Sequence, residues 1–79
     1  MRKTNDIDAQ IGFLIKFNRL SKGKVRAWLG KKINKSYQQV KNYETGKNRV
    51  ACGILYQISK ALGEPIEAFF PQENNKTKK

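Results

Sequence analysis

The stretch KVRAWLGKKINKSYQQVKNYETGKNR, Lys24 to Arg49, decides how this chain folds. Val25, Leu29 and Ile33 recur every four residues, the spacing of one face of a short helix. Asn34 follows, a residue that tolerates the left-handed backbone of a tight turn. Ser36 is a good N-cap for a further helix from Tyr37 to about Glu44. In that helix Val40 and Tyr43 point one way, and Gln38, Lys41 and Asn42 another. Two short helices with three residues between them must cross steeply, because the link is too short for a side-by-side hairpin. Gly30, on the inner half of the first of them, lets a neighbouring helix come close.

Outward from this segment the spacing stays helical. Ile7, Ile11, Leu14 and Ile15 form one stripe before it, extended by Phe13, Phe17 and Leu20. Asn5 or Asp6 is the expected cap of that first helix, and Gly23 its exit. Gly46 stops the third helix. After a loop, Lys47 to Val50, Leu55, Ile58 and Leu62 mark a fourth helix ending at Gly63. Pro65 opens a last short helix, Ile66 to Phe70, and Pro71 stops it. No segment alternates with period two for long enough to be a strand. The expectation is all-α: a compact five-helix bundle over residues 7–70, with a flexible arm over 1–6 and a flexible basic tail over 71–79.

Charge narrows the function. Lys and Arg number 17 against 6 Asp and Glu, a formal net charge of +11. Setting aside Arg2, Lys3, Lys76, Lys78 and Lys79 near the ends leaves +6 on the rest. A field of that sign attracts polyanions, and phosphate backbones are the commonest. The exposed face of the third helix is rich in amides, and Gln and Asn present a donor and an acceptor together, matching an adenine edge in the major groove. Lys41 reaches guanine acceptors or a phosphate, and Tyr37 packs on a thymine methyl or a sugar. An ordinary polar helix face is the bland alternative. Arg26 before this helix, and Lys47, Asn48 and Arg49 after it, favour the nucleic-acid reading, since they bracket the helix on the side where the backbone strands would run.

Enzyme chemistry has little to stand on. There is no histidine, and the single cysteine, Cys52, allows no internal disulfide. The acids Asp6, Asp8, Glu44, Glu64, Glu67 and Glu73 show no paired arrangement, so no triad, metal cluster or cofactor site is expected. Cys52 is expected to pack as a small buried hydrophobe. Trp28 is left between folding back on the first helix and meeting a partner protein. No run approaches the roughly 18 apolar residues of a membrane span, and MRKTNDIDAQ lacks the apolar core of a signal peptide, so the expected location is the cytoplasm.

Two blocks carry a family resemblance. QQVKNYETGKNRV, residues 38–50, and ISKALGEPIEAFF, residues 58–70, are similar to blocks of the XRE, or Cro/C1-type, helix-turn-helix DNA-binding domains. The likeness spans residues 11–70. It implies a lambda-repressor-like bundle whose third helix enters the major groove of double-stranded DNA. It also implies a homodimer on an inverted repeat that represses nearby promoters. By position, Tyr37, Gln38, Lys41 and Asn42 match the base-reading residues. Arg26, Ser36, Thr45, Lys47, Asn48 and Arg49 match backbone contacts, and Arg19 and Glu44 match a buried ion pair. The same fold also serves antitoxins that hold a toxin protein, and bridging coactivators. The chain departs from the pattern at Val25 and Arg26, where the family has Ser-Gln, at Lys24 and Lys35, often apolar, and at Asn34, usually glycine. The lost cap leaves the start of the second helix open, and the lysines add charge near the nucleic-acid face.

Overall fold

A computed structural model describes residues 4–72, with side chains from Ile7 onward. Four α-helices and a terminal 3-10 helix run in the order α1 (Thr4–Ser21), α2 (Arg26–Ile33), α3 (Tyr37–Glu44), α4 (Cys52–Leu62) and Ile66–Phe69. No strand occurs among the described residues. The expected fifth α-helix is instead a single 3-10 turn. Pro65 supplies no N–H to the ladder, and Phe70 is already extended at φ −111° and ψ 143°. Four residues between two such ends leave no room for an α-helical turn to propagate.

At the other end α1 begins at Thr4, so Asn5 and Asp6 lie inside the helix and do not cap it, and residues 4–6 are not a separate arm. The remaining arm residues 1–3 and the tail residues 73–79 lie outside the described residues. Pro71 and Gln72 are still tied to the fold: Gln72 Nε2 donates to the carbonyls of Glu67 at 3.3 Å and Phe70 at 3.2 Å.

The core is one cluster drawn from every element: Ile15, Leu29, Ile33, Val40, Tyr43, Leu55, Ile58, Leu62 and Phe69. Only part of the expected α1 stripe joins it. Gly12, Ile15 and Arg19 face inward, whereas Phe13, Phe17 and Leu20 are more than half exposed. Two residues along a helix turn by about 200°, so Phe13 and Phe17, on either side of Ile15, face nearly opposite to it. They stack on each other instead, with ring centroids 6.3 Å apart. Phe69 is fully buried and Phe70 is 41% exposed, which assigns the two adjacent rings to different roles.

α3 packs on α1 and α2, and α2 packs on α4. The link from α2 to α3 is as short as the spacing predicts. Asn34 takes the left-handed conformation at φ 60°, and Lys35 N donates to Gly30 O at 2.8 Å. The reason for Gly30 differs from the expected one. A Cβ there would stand 2.5 Å from the Lys35 carbonyl oxygen, so the glycine makes room for the turn rather than for another helix.

Cys52 also departs from expectation: it is exposed. Ala51, Cys52 and Gly53 are all exposed, so the first turn of α4 extends clear of the core. Trp28 is partly buried at the core's edge, with Lys24 Nζ 4.9 Å and Lys32 Nζ 5.5 Å from its ring centroid. Lys32 reaches the ring because it lies four residues on along α2, whereas Lys24 approaches it from the turn before the helix.

Candidate nucleic-acid interface

α3 owes its outward face to its inward one. Val40, Tyr43 and Glu44 are buried, and this fixes the rotation of the helix about its axis. Tyr37, Gln38, Lys41 and Asn42 then occupy the opposite side. Tyr37, Gln38 and Lys41 are exposed and Asn42 half-buried. Ser36 starts the helix, its hydroxyl accepting from Gln39 N at 3.0 Å. With Oγ engaged there, Ser36 sits at the edge of the face as a cap.

The amides are ordered before any ligand arrives. Gln38 Nε2 donates to Asn42 Oδ1 at 3.0 Å, which leaves Gln38 Oε1 as an acceptor and a second Nε2 hydrogen as a donor. Beyond the helix, Asn48 N donates to Asn42 O at 3.2 Å, folding the loop back against the end of α3. Thr45, Lys47, Asn48 and Arg49 are exposed on that loop. Thr45 Oγ1 lies 3.4 Å from Asn42 O. Arg49 is 73% exposed and meets a carboxylate: its Nε donates to Asp8 Oδ2 at 3.1 Å.

Beneath α3 a carboxylate joins two guanidiniums. Arg19 donates from Nε to Glu44 Oε2 at 2.6 Å and from Nη2 to Oε1 at 3.0 Å. Its Nη1 donates to the Lys24 carbonyl at 2.7 Å. Arg26 Nε donates to the same Glu44 Oε1 at 2.8 Å. The hydrogen bond that Arg26 donates to Glu44, backed by one to Tyr37, raises the Arg26 pKa above its ordinary value, so the guanidinium stays charged. Arg26 reaches this site because α2 starts with it: Val25 is the N-cap and provides no side-chain bond.

Three contacts in this region go beyond the reading of the sequence. Asp8 and Arg49 are far apart along the chain, and only the packing of α1 beside the loop brings them together. Gly12 is buried where α1 crosses the end of α3, and a Cβ there would overlap the Tyr43 carbonyl and stand 2.8 Å from that of Glu44. A glycine in the middle of an otherwise good helix is the hint that finds it. The Arg26–Glu44 bond also has a hint, namely an arginine in the place where the resembled family carries glutamine.

Among the described residues no group of three His, Cys, Asp or Glu side chains is placed to hold a metal. No described helix is long and apolar enough to cross a membrane.

No known family profile matches the chain. Individual proteins do. An uncharacterised helix-turn-helix-type transcriptional regulator of Sinorhizobium fredii, y4wC, is 43% identical over 75 residues, covering 95% of this chain and 52% of that protein. Other curated relatives, 36–41% identical, are likewise named transcriptional regulators. The chain spans about half to two thirds of the length of these relatives. Among solved structures, the restriction-modification controller protein C.AhdI of Aeromonas hydrophila superposes with a TM-score of 0.75 at 19% identity, over 78% of this chain and 94% of that one. Hydroxypropylphosphonic acid epoxidase of S. wedmorenis superposes with a TM-score of 0.77 at 23% identity, over 82% of this chain but only 35% of the enzyme. At such identities both likenesses speak for the fold alone, and a fold of this kind is found within an enzyme as well as in a controller protein. What separates the two is sequence, and the proteins that share this much of it with the chain are named transcriptional regulators, most of them of the helix-turn-helix type.

Proposed function

We propose that this chain is a non-enzymatic, sequence-specific binder of double-stranded DNA that lays α3 in the major groove. The observation that carries this reading is the exposed amide and basic face of Tyr37, Gln38, Lys41 and Asn42 on a helix anchored by three buried residues. Gln38, steadied by Asn42, pairs with an adenine edge, Lys41 with guanine or a phosphate, and Tyr37 with an apolar base face. Arg26, Thr45, Lys47, Asn48 and Arg49 hold the sugar-phosphate backbone on both sides.

The chain acts as a repressor, its two copies placed on the halves of an inverted repeat. Phe70, exposed just past the last helix and beside a buried Phe69, is available to a second copy. A chain of +11 favours copies that meet on an uncharged surface, and the groove beside Phe70 is lined by Ala9, Gln10, Phe13, Leu14, Ala68 and Pro71, with no charged residue among the described ones.

Selection of duplexes from a random pool, followed by gel shifts at several salt concentrations, tests the reading. The expected outcome is one enriched motif with two-fold symmetry and a binding constant that falls steeply with salt. Equal affinity for selected and scrambled duplexes would overturn it.

A further inference from the structure

Arg26 is held at one end and open at the other. Glu44, whose side chain has no exposed surface, takes its Nε, while 18% of the Arg26 side chain remains exposed. Nη1 lies 3.5 Å from Tyr37 Oη, at the outer limit of a hydrogen bond, and the guanidinium carbon stands 5.9 Å from the Tyr37 ring centroid. Nη2 has no bond to any described residue. A guanidinium donates along two separate edges, so it can span a carboxylate on one side and a phosphate on the other, whereas an ammonium carries its three donors on a single atom.

The same carboxylate also fixes the backbone that carries Arg26. Arg19, gripped by Glu44, donates to the Lys24 carbonyl two residues upstream, at the entry to a helix whose cap residue Val25 offers no side-chain bond. One carboxylate between two guanidiniums leaves a net positive charge at the foot of the interface. Tyr37, beside that charge, is the first residue of α3.

We propose that Glu44 is a positioning residue for nucleic-acid binding. It grips Arg26 through Nε and aims the terminal nitrogens, past Tyr37, at a phosphate bordering the groove that α3 enters. The phosphate contact on α2 and the reading residues on α3 are thereby held in one register. This inference rests on the DNA-binding reading above.

Arg26→Lys and Arg26→Gln in the full chain separate orientation from charge, with helicity checked by circular dichroism. The probe is a duplex selected by the wild-type chain from a random pool. Losing one phosphate contact lowers the salt slope of log K by about 0.9. The expected result is that both variants lose it, because the lysine ammonium stays on Glu44. A wild-type slope in Arg26→Lys would overturn the positioning role, and a wild-type slope in both would remove Arg26 from the interface altogether. A wild-type chain that selects no duplex would defeat the underlying reading instead, and this inference with it. Should the variants fail to fold, the wild-type Arg26 Nε–H resonance decides. It stays protected from exchange when the selected duplex is added if Glu44 keeps its grip, and exchanges freely if Arg26 swings away, which contradicts the proposal.

Discussion

Gln38 Nε2 donates a hydrogen bond of 3.0 Å to Asn42 Oδ1, one helical turn along the outer face of α3. The pair shares that face with Lys41 and Tyr37, so ordering one amide orders the other. The bond fixes which Gln38 atoms remain available to a base.

Replacing Gln38 by alanine is therefore expected to weaken binding to the preferred duplex by about 1–3 kcal/mol and to relax discrimination at one base pair. Asn42→Ala releases the Gln38 amide and should cost less on its own. Combined, the two should fall short of the sum of their separate effects, since each already spoils the other's contact. Titrations of the single and double variants against matched and scrambled duplexes measure this. Additive losses, equal on both duplexes, would remove the amide pair from base reading.

Asp8 holds Arg49 at 3.1 Å in the free chain, and a phosphate would compete for the same guanidinium. With Arg49 mostly exposed, the pair is worth no more than about 1 kcal/mol. Asp8→Asn is expected to tighten binding to every duplex by up to about fivefold at low salt, with little change in sequence preference. Arg49→Ala is expected to weaken all duplexes alike and to lower the salt slope by about 0.9. Fluorescence anisotropy across a salt series distinguishes these outcomes. An Asp8→Asn variant with weaker binding would place Asp8 in the interface itself.

The two arginines on Glu44 are not equivalent for stability. Removing one partner of a buried ion pair costs about 3–5 kcal/mol because a charge is stranded. Arg19→Met leaves Glu44 still paired with Arg26, so its cost is expected near the lower end. Glu44→Met strands two guanidiniums and should cost more. Urea unfolding of both variants gives the order, and a Glu44 variant more stable than the Arg19 variant would contradict the network as drawn.

Phe69 and Phe70 should separate folding from assembly. Phe69→Ala empties a fully buried site and is expected to cost about 3–5 kcal/mol. Phe70→Ser should leave the unfolding midpoint of the monomer nearly unchanged and weaken self-association. Sedimentation over a range of concentrations reads the second effect. A Phe70 variant that self-associates like the wild type would move the contact between copies elsewhere.

The features readable in the sequence are those set by neighbours a few residues away. Ser36 caps α3, Asn34 turns the chain at positive φ, and the periodic Leu55, Ile58 and Leu62 face inward. Spacing alone bounds α3, because its cap and its stop both lie within one turn of it. Features set by packing were not readable. Phe13 and Phe17 look like core residues until the rotation of α1 is fixed by Ile15 and Arg19. Cys52 looks buried until the first turn of α4 is seen to overhang the core. Phe69 and Phe70 are alike in sequence and differ only in what covers them.

The candidate site divides in the same way. The amide face of α3 follows from helical spacing, whereas the partners of Arg26 and Arg49 lie on other elements. Lone arginines beside a reading helix look free to bind phosphate. The structure shows one tied to a buried carboxylate and the other to a mostly shielded one.

Nuclear magnetic resonance of the isotope-labelled chain, titrated with its selected duplex, reads whether the outer face of α3 is the surface that meets DNA. The side-chain amide signals of Gln38 and Asn42 should shift strongly and saturate together, at the same duplex ratio as the backbone signals from Tyr37 to Thr45. If those amides stay still while the signals around Phe13 and Phe70 move, the nucleic acid is seated on another surface, and α3 is not the reading helix.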